Sequence, residues 1–274
     1  MYWRLHQAIF KEKLPSAISI LESYSDKIQI LNEQNGYIQP LDNDNANMPT
    51  LALTSILDAY QLDKNNGHCP LLFYHKHNYN MTHWISYYKD LPWLNKDATF
   101  TTVSLLEHNI QHIKSDKIFI RPNAGNKIFT GNVFYLNDWE YHYYNLTRAT
   151  SPDTIIAVCD YQPLHDIEWR FWIIDGEVVC YSPYSWNQDI KWSQAPEDVI
   201  NLAEQIAHHS YQIDVTYVVD IVTLSSDNTP FLNEINATST SGVYDAPLDL
   251  LLPRLRHISH REFYYLTNNN YNGS

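Results

Sequence analysis

The sequence predicts an α+β fold, because two hairpin patterns are separated by one amphipathic helix. In the first hairpin, the apolar runs 167–174 and 177–184 flank an Asp-Gly pair, which is the strongest short hairpin signal. In the second hairpin, the runs 215–224 and 231–236 flank the polar connector SSDNTP. The helix, at 196–209, has its apolar residues in one stripe, so we expect it to cover an antiparallel sheet from one side.

The other elements are predicted from weaker patterns, taken here in chain order. Residues 14–31 indicate a helix that runs into a short strand, and 49–62 indicate a second helix with a proline near its start. The stretch 67–95 shows no clean period, so we expect irregular structure there. Beyond it, β-branched runs separated by turn signals include strands at 117–121 and 155–161.

The change of pattern after residue 95 predicts two regions, 1–95 and 96–274. A chain of 274 residues can bury a sizeable core without disulfides. The three cysteines form no CxxC pair, which fits a reducing compartment, and we expect Cys159 and Cys180 to be small core residues. The N-terminus lacks an apolar run of signal-peptide length, and no stretch is long enough to cross a bilayer. We therefore expect a cytoplasmic protein with no membrane partner.

The composition argues against a broad phosphate-binding surface. The chain has 18 Lys and Arg against 31 Asp and Glu, a net charge of −13, and wide nucleic-acid surfaces need clustered basic residues. Seven glycines also argue against a long glycine-rich phosphate loop, although a local basic site stays compatible with these numbers. Nucleic acid is disfavoured as a partner, with stacking on tryptophan and tyrosine left open.

Two charged residues of the first hairpin share one strand face. Alternation along 167–174 places Glu168 and Arg170 together, opposite Trp169 and Phe171. The two charges can pair on the surface, where such a pair has little energetic consequence, or both can point at a ligand. Their spacing leaves both interpretations open.

Three polar residues of the second hairpin suggest an oxygen-rich site. Asp220 lies in an almost purely apolar strand, where an isolated carboxylate is costly to bury. Strict alternation along 231–236 predicts that Leu232, Glu234 and Asn236 share a face. A cation shared by the three polar residues would resolve that cost, and an all-oxygen set suits Mg²⁺ held jointly with phosphates. The alternatives are a turn or a basic partner at Asp220, and a solvated face at the other two positions.

The order of these residues, with a basic loop before them, resembles the ATP-grasp superfamily. Within it, the sequence is most similar to a divergent bacterial and phage clade related to eukaryotic translation-initiation assembly factors. The resemblance covers roughly 96–265. Four motifs carry it: RPNAGNKIFTG at 121–131, EWR at 168–170 with the Asp-Gly that follows, VVD at 218–220, and LNEIN at 232–236.

This resemblance implies two α+β lobes whose antiparallel sheets sandwich ATP, preceded by the small α/β region 1–95 on the substrate side. In the family, a strand-borne basic residue before the small loop contacts phosphate, and Arg121 matches that position. Lys127 matches a second basic position. Arg170 would face the transferred phosphate or an acyl phosphate, so Lys127 and Arg170 are the candidate catalytic residues.

The resemblance also implies nucleotide and metal contacts. The strand 155–161 matches the hinge that binds the adenine edge through its backbone, although glutamate is common where this chain has Asp160. Glu168 matches a residue expected to bind the ribose or a nearby polar group. The hinge candidates are Asp160, Tyr161 and Gln162, and the best-matched Mg²⁺ ligands are Asp220, Glu234 and Asn236.

The family chemistry activates a carboxylate with the γ-phosphate of ATP, and an amine then displaces phosphate from the acyl phosphate. We therefore expect an ATP- and Mg²⁺-dependent carboxylate–amine ligase that forms an amide or peptide bond on a small molecule, peptide or protein. Two alternatives would use the same site: an ATP-binding assembly factor or chaperone without ligase chemistry, and a small-molecule kinase.

A zinc protein is a further alternative, since the chain has 13 histidines. His75, His77 and His83 lie near one another in the sequence, and His257 and His260 stand three residues apart. Zinc sites usually add a carboxylate or thiolate at a defined spacing, and no such set accompanies these histidines. Surface or core roles are therefore favoured for them.

Overall fold

The computed structural model describes residues 1–31, 48–59, 77–110, 115–125, 128–185, 187, 190 and 193–269. The strands of this part of the chain form one parallel sheet and two antiparallel sheets, with helices packed against them. The predicted α+β class, with two antiparallel sheets after a small α/β region, is confirmed.

The N-terminal sheet is parallel, with strand order β2-β1-β3. Its central strand is buried because it has a neighbour on each side. The helix predicted at 49–62 is wrong at its start, because residues 50–53 pair with β1, and the described helical residues are only 56–59. Tertiary pairing outweighs local helix propensity there. The elements are β1 Tyr2–His6, α1 Leu14–Glu22, β2 Lys27–Leu31 and β3 Thr50–Leu53, with a short helix at Gln7–Phe10.

A small lobe follows, built on a sheet with strand order β4-β7-β5-β6. Two helices cover one face of this sheet, where Ile118, Ile120 and Ile156 form its core with Leu106 and Leu146. The opposite face is turned toward the rest of the molecule. The elements are β4 Thr99–Thr102, α2 Val103–Ile110, β5 Lys117–Pro122, β6 Asn132–Tyr135, α3 Trp139–Ala149 and β7 Ile155–Asp160.

The large lobe contains both predicted hairpins in a sheet of order β11-β10-β8-β9. Helices cover both faces, not one as expected, because β10 is buried at all of its positions and each apolar face needs a cover. The predicted helix packs on one face and the C-terminal helix on the other. The elements are β8 Glu168–Ile174, β9 Glu177–Tyr184, α4 Glu197–Ala207, β10 Thr216–Thr223, β11 Pro230–Ala237 and α5 Leu248–Asn269.

A β-bulge changes the faces of β11. The register shifts between Asp220 and Ile221, whose partners are Glu234 and Leu232, so Asn233 has no opposite residue. Strict alternation was therefore wrong for Leu232, which packs in the same core as Ile235. A bulge adds one residue and resets the side-chain alternation.

The segment 77–98 joins the N-terminal sheet to the small lobe. It has a short helix at Met81–Trp84 and then follows the outer edge of β11. The backbone NH of Leu94 donates to the carbonyl of Leu232, whose own NH donates to the carbonyl of Pro92, each at 2.9 Å. These bonds fix the segment against the large lobe.

The cysteines and the helices can be compared with expectation where they are described. Cys159 and Cys180 are buried free thiols, as predicted, and burial raises the pKa of each to about 12. Cys69 lies outside the described residues. Within the described residues, every helix is too short or too polar to cross a lipid bilayer.

Candidate functional site

A cavity of about 490 Å³ lies between the small and large lobes. The segment 77–98 closes one side of it, and the hinge after β7 closes another. Apolar and aromatic side chains line part of the wall: Met81, Trp84, Leu94, Phe119, Phe129, Val133, Leu164 and Ile235. Polar groups line the rest: Asn95, Arg121, Asn123, Asp160, Gln162, His165, Asp166, Glu168, Asn187, Asn233 and Glu234. Such a mixed wall suits a ligand with an apolar ring and a charged tail.

Arg121 and Glu234 bridge the two lobes inside this cavity. The Nη2 of Arg121 donates to Oε1 of Glu234 at 2.8 Å, and its Nη1 donates to the carbonyl of Asn233 at 2.9 Å. The bulge at Asn233 exposes this carbonyl. The candidate phosphate-binding arginine therefore lies directly beside a candidate metal ligand.

Arg170 and Asp220 form a buried pair next to the cavity. The guanidinium donates from Nε and Nη2 to the two carboxylate oxygens, each at 2.8 Å, and its Nη1 donates to the carbonyl of Gly242 at 3.3 Å. Both residues are almost fully buried, so the basic partner weighed for Asp220 is Arg170. Burial alone would lower the pKa of Arg170, but the charge and hydrogen bonds of Asp220 hold it well above its usual value.

Two tyrosines pack against this pair. The rings of Tyr184 and Tyr244 stack with their centroids 4.5 Å apart, and the guanidinium carbon of Arg170 lies 4.9 and 5.0 Å from the two centroids. Tyr244 has a φ of 44°, a left-handed conformation that is costly for a bulky residue. The strained backbone holds its ring on the arginine.

Glu168 lies on the cavity wall and is held by neighbouring side chains. The Tyr184 hydroxyl donates to its Oε2 at 2.8 Å, and Nδ2 of Asn233 donates to the same oxygen at 3.3 Å. Burial, followed by the charge of Asp220, raises the pKa of Glu168. Glu168 is paired with uncharged groups and not with Arg170, so the surface ion pair considered from spacing does not form.

Asn236 connects the two carboxylates. Its Nδ2 donates to Oδ2 of Asp220 at 2.9 Å and to Oε2 of Glu234 at 3.2 Å. Two carboxylates and one amide form an all-oxygen donor set of the kind that Mg²⁺ takes together with phosphates. Glu234 reaches the cavity, whereas Asp220 is fully buried behind it with both oxygens bonded to Arg170. The donor chemistry fits Mg²⁺ best at Glu234.

The hinge residues line the cavity at the end of β7. Asp160, Tyr161 and Gln162 are exposed, and the NH of Tyr161 bonds the carbonyl of Lys117 at 3.4 Å. This hydrogen bond is long, so the hinge backbone is lightly held. These three predicted residues thus share a cavity with Arg121 and Glu168.

The short loop after β5 is anchored from outside the small lobe. Oδ1 of Asn123 accepts from the NH of Thr82, and its carbonyl accepts from the NH of Met81, both at 2.9 Å. A Cβ added to Gly125 would lie 2.4 Å from Cβ of Tyr79, so only glycine fits there. Lys127, the second predicted basic residue, lies outside the described residues.

The histidines form no metal centre in the described part of the chain. His83 bonds the hydroxyl of Tyr211 at 2.9 Å, and His75 is not among the described residues. No three histidine, cysteine, aspartate or glutamate side chains that the structure describes come together in a way that could hold a metal ion. A cation at Glu234 would therefore need ligands from outside the protein, such as phosphate oxygens.

Comparison with known families gives a match over most of the chain. Residues 44–258 match a family model described as an ATP-grasp domain, the third family of its clade. The chain belongs to this ATP-grasp family. The match begins well before residue 96, so it includes part of the predicted N-terminal region. The comparison with curated proteins gives no match.

Solved structures of ATP-grasp fold are similar to this ATP-grasp chain over nearly its whole length. D-cycloserine synthetase DcsG superposes with a TM-score of 0.64 at 11% identity, covering 95% of this chain and 99% of that one. D-alanine–D-alanine ligase from Bacillus anthracis, complexed with ATP, has a TM-score of 0.56 at 13% identity over 97% and 99%. The ATP-grasp ligase PsnB, complexed with a precursor peptide and AMPPNP, has a TM-score of 0.56 at 11% identity over 94% and 97%.

Sequence reasoning missed the part of the ATP-grasp cavity that lies before residue 96. Met81, Trp84, Leu94 and Asn95 line the wall, yet their segment has no periodic pattern that would mark it. Tyr184 was also missed, although it lies at the end of a predicted strand. Its role depends on a contact with Glu168 across the sheet, which spacing alone does not reveal.

Proposed function

We propose that this protein is an ATP- and Mg²⁺-dependent ligase that activates a carboxylate as an acyl phosphate and joins it to an amine. The observation that carries this proposal is the contact between Arg121 and Glu234 inside the cavity between the lobes. A phosphate-binding cation beside a metal-binding carboxylate is the arrangement that phosphoryl transfer needs. Membership of the ATP-grasp family supports nucleotide as the ligand.

The triphosphate would be held chiefly by basic side chains at the small-lobe side of the cavity. Arg121 can bind phosphate with two donors at once, because its guanidinium is planar and permanently charged. Lys127 would add a second, mobile charge. The anchored loop at Pro122–Gly125 would keep these groups at a fixed distance from β11.

Glu234, Asn236 and Asp220 would hold Mg²⁺ together with the phosphates. Bound Mg²⁺ would supply neutralisation of the phosphate charge as it develops. In the structure, Asp220 orients both Arg170 and Asn236 through its two oxygens. Asp220 therefore also acts by positioning its neighbours.

Arg170 would stabilise charge on the transferred phosphate or the acyl phosphate. It does not line the cavity, and its Nη1 donates to the carbonyl of Gly242. Direct contact with a phosphate would require this bond to break. The chemistry needs no serine or cysteine nucleophile, since positioning and charge neutralisation provide most of the catalysis.

The base and ribose would lie toward the hinge. Asp160, Tyr161 and Gln162 are placed to contact the base edge, and Glu168 to contact the ribose or a neighbouring polar group. The carboxylate and the amine stay undefined. A peptide is one candidate, because two similar structures hold a precursor peptide.

The first test is nucleotide binding. We expect calorimetric titration to show ATP binding that depends on Mg²⁺, and Glu234→Gln and Lys127→Ala each to weaken it. Arg148→Ala is the matched control, because Arg148 is an exposed small-lobe residue that contacts only Tyr144 among the bonds described. Unchanged binding in both site variants would contradict the assignment.

The second test separates ligase from its alternatives. A ligase releases ADP only when carboxylate and amine are both present, and an amide product appears by mass spectrometry. A kinase would leave a stable phosphorylated product without the amine. An assembly factor or chaperone would bind ATP with no turnover stimulated by any acceptor.

A further inference from the structure

Asn95 is a buried carboxamide in the wall of the cavity. Its side chain is part of a residue only 6% exposed, and its Nδ2 has no hydrogen-bond partner among the described residues. A buried amide nitrogen without a partner costs free energy comparable to a lost hydrogen bond. A group of this kind on a cavity wall indicates that a ligand supplies the missing bond.

The position of Asn95 is fixed by the backbone on both sides. Leu94 is bonded to Leu232 on the edge of β11, and the carbonyl of Asn95 accepts from the NH of Ala98 at 3.0 Å. Its side chain is therefore presented from a held turn and not from a free loop. A fixed carboxamide can select a ligand edge, because it loses little entropy on binding.

The neighbours of Asn95 in this wall are apolar. The segment 77–98 also contributes Tyr79, Met81, Trp84 and Leu94 to the cavity, whereas the charged residues Arg121 and Glu234 come from β5 and β11. One amide among apolar side chains is the usual composition of a site for a heterocyclic ring. The triphosphate belongs beside the charged residues.

We propose that Asn95 hydrogen-bonds the edge of the nucleotide base and contributes to selection of adenine, an inference that rests on the proposed binding of ATP. A carboxamide carries one acceptor and one donor group, and a half-turn about its last bond exchanges them. Adenine presents a donor next to an acceptor, whereas the matching atoms of guanine are both acceptors. The amide is therefore complementary to adenine and not to guanine.

The experiment compares three probes by calorimetry: MgATP, MgGTP and Mg-tripolyphosphate, which has no base. In Asn95→Leu, which keeps the size and removes the polar group, we expect ATP affinity to fall about threefold to tenfold. Tripolyphosphate affinity should stay unchanged, and the preference for ATP over GTP should decrease. Asn95→Asp, which removes the donor and keeps the shape, should weaken ATP binding as well and serves if the leucine variant does not fold.

The matched control is Asn78→Ala. Asn78 lies in the same segment, but its Nδ2 donates to the carbonyl of Ile213 at 2.9 Å and it does not line the cavity. Its loss should leave the ratio between the three probes unchanged. Equal weakening of ATP and tripolyphosphate in Asn95→Leu would overturn the proposal, as would unchanged ATP affinity.

These outcomes are separable from failure of the proposed function. If the unaltered protein binds neither ATP nor tripolyphosphate, the nucleotide assignment and the role of Asn95 fall together. If it binds ATP and the Asn95 variants keep the full affinity and the full preference over GTP, only the role of Asn95 is wrong.

Discussion

The guanidinium of Arg121 donates to Glu234 at 2.8 Å across the gap between the two lobes. Arg121 belongs to β5 of the small lobe and Glu234 to β11 of the large lobe. The same arginine also bonds the carbonyl of Asn233, which the bulge in β11 leaves outside the ladder. One side chain therefore connects the lobes at the place where we propose that phosphate and Mg²⁺ bind.

Replacement of Arg121 should weaken ATP binding strongly. Arg121→Lys keeps one charge but cannot bond two oxygens in a fork, so we expect a loss of about tenfold, worth about 1.4 kcal/mol. Arg121→Ala should cost more. Calorimetric titration measures both, with Arg148→Lys as the control; equal affinity in the lysine variant would show that the fork geometry is unimportant.

Gly125 should not tolerate a side chain. The Cβ of Gly125→Ala would lie 2.4 Å from Cβ of Tyr79 and 3.1 Å from its carbonyl oxygen, so the loop must shift. We expect a loss of stability of about 1 to 3 kcal/mol, as for other overpacked sites, and weaker ATP binding. Denaturant unfolding measures the first quantity. Gly242→Ala is the control, since its Cβ would meet atoms no closer than 3.6 Å and should cost little stability.

The raised pKa of Glu168 predicts a pH dependence of stability. Burial and the charges of Asp220 and Glu234 raise this pKa above the value of 4.5 expected in the unfolded chain. As the pH rises through that window, the unfolded chain loses its proton first, so the folded state is progressively disfavoured. Above the folded pKa the penalty is complete.

Glu168→Gln removes this penalty. Relative to the unaltered protein, the variant should gain stability as the pH rises from about 4.5 toward neutrality, because the amide does not titrate. Thermal unfolding of both proteins over this range measures the difference. A constant difference at every pH would mean that the pKa of Glu168 is not raised.

The buried pair of Arg170 and Asp220 should be far more important for stability than an exposed pair. Removing one partner leaves an uncompensated buried charge, so Asp220→Ala and Arg170→Ala should each cost about 3 to 5 kcal/mol. Arg261 and Asp175 form a comparable fork at 2.7 and 2.9 Å on the surface, and its loss should cost less than about 1 kcal/mol.

A double-mutant cycle for each pair, measured by denaturant unfolding, tests this contrast. The buried pair should show a large coupling energy, with the double variant less damaged than the sum of the single variants. Similar coupling in the two pairs would contradict the inferred burial of Arg170 and Asp220.

The sequence by itself determined the elements whose signals are local. Asp-Gly between apolar runs predicts the β8–β9 hairpin, and the apolar stripe at 196–209 predicts α4, because turn chemistry and helical spacing act between near neighbours. The order of Arg121, Glu168, Asp220 and Glu234 also sufficed to suggest the ATP-grasp family, which the match over 44–258 confirms.

Only the tertiary structure decided how these residues are paired and what surrounds them. Arg170 bonds Asp220 and not Glu168, and β3 forms where the local pattern favours a helix, because both outcomes depend on neighbours that are distant along the chain. The bulge that turns Leu232 into the core is likewise a property of two paired strands. The buried amide of Asn95 has no pattern in the sequence at all, since its place in the cavity follows from the edge of β11 on which its segment rests.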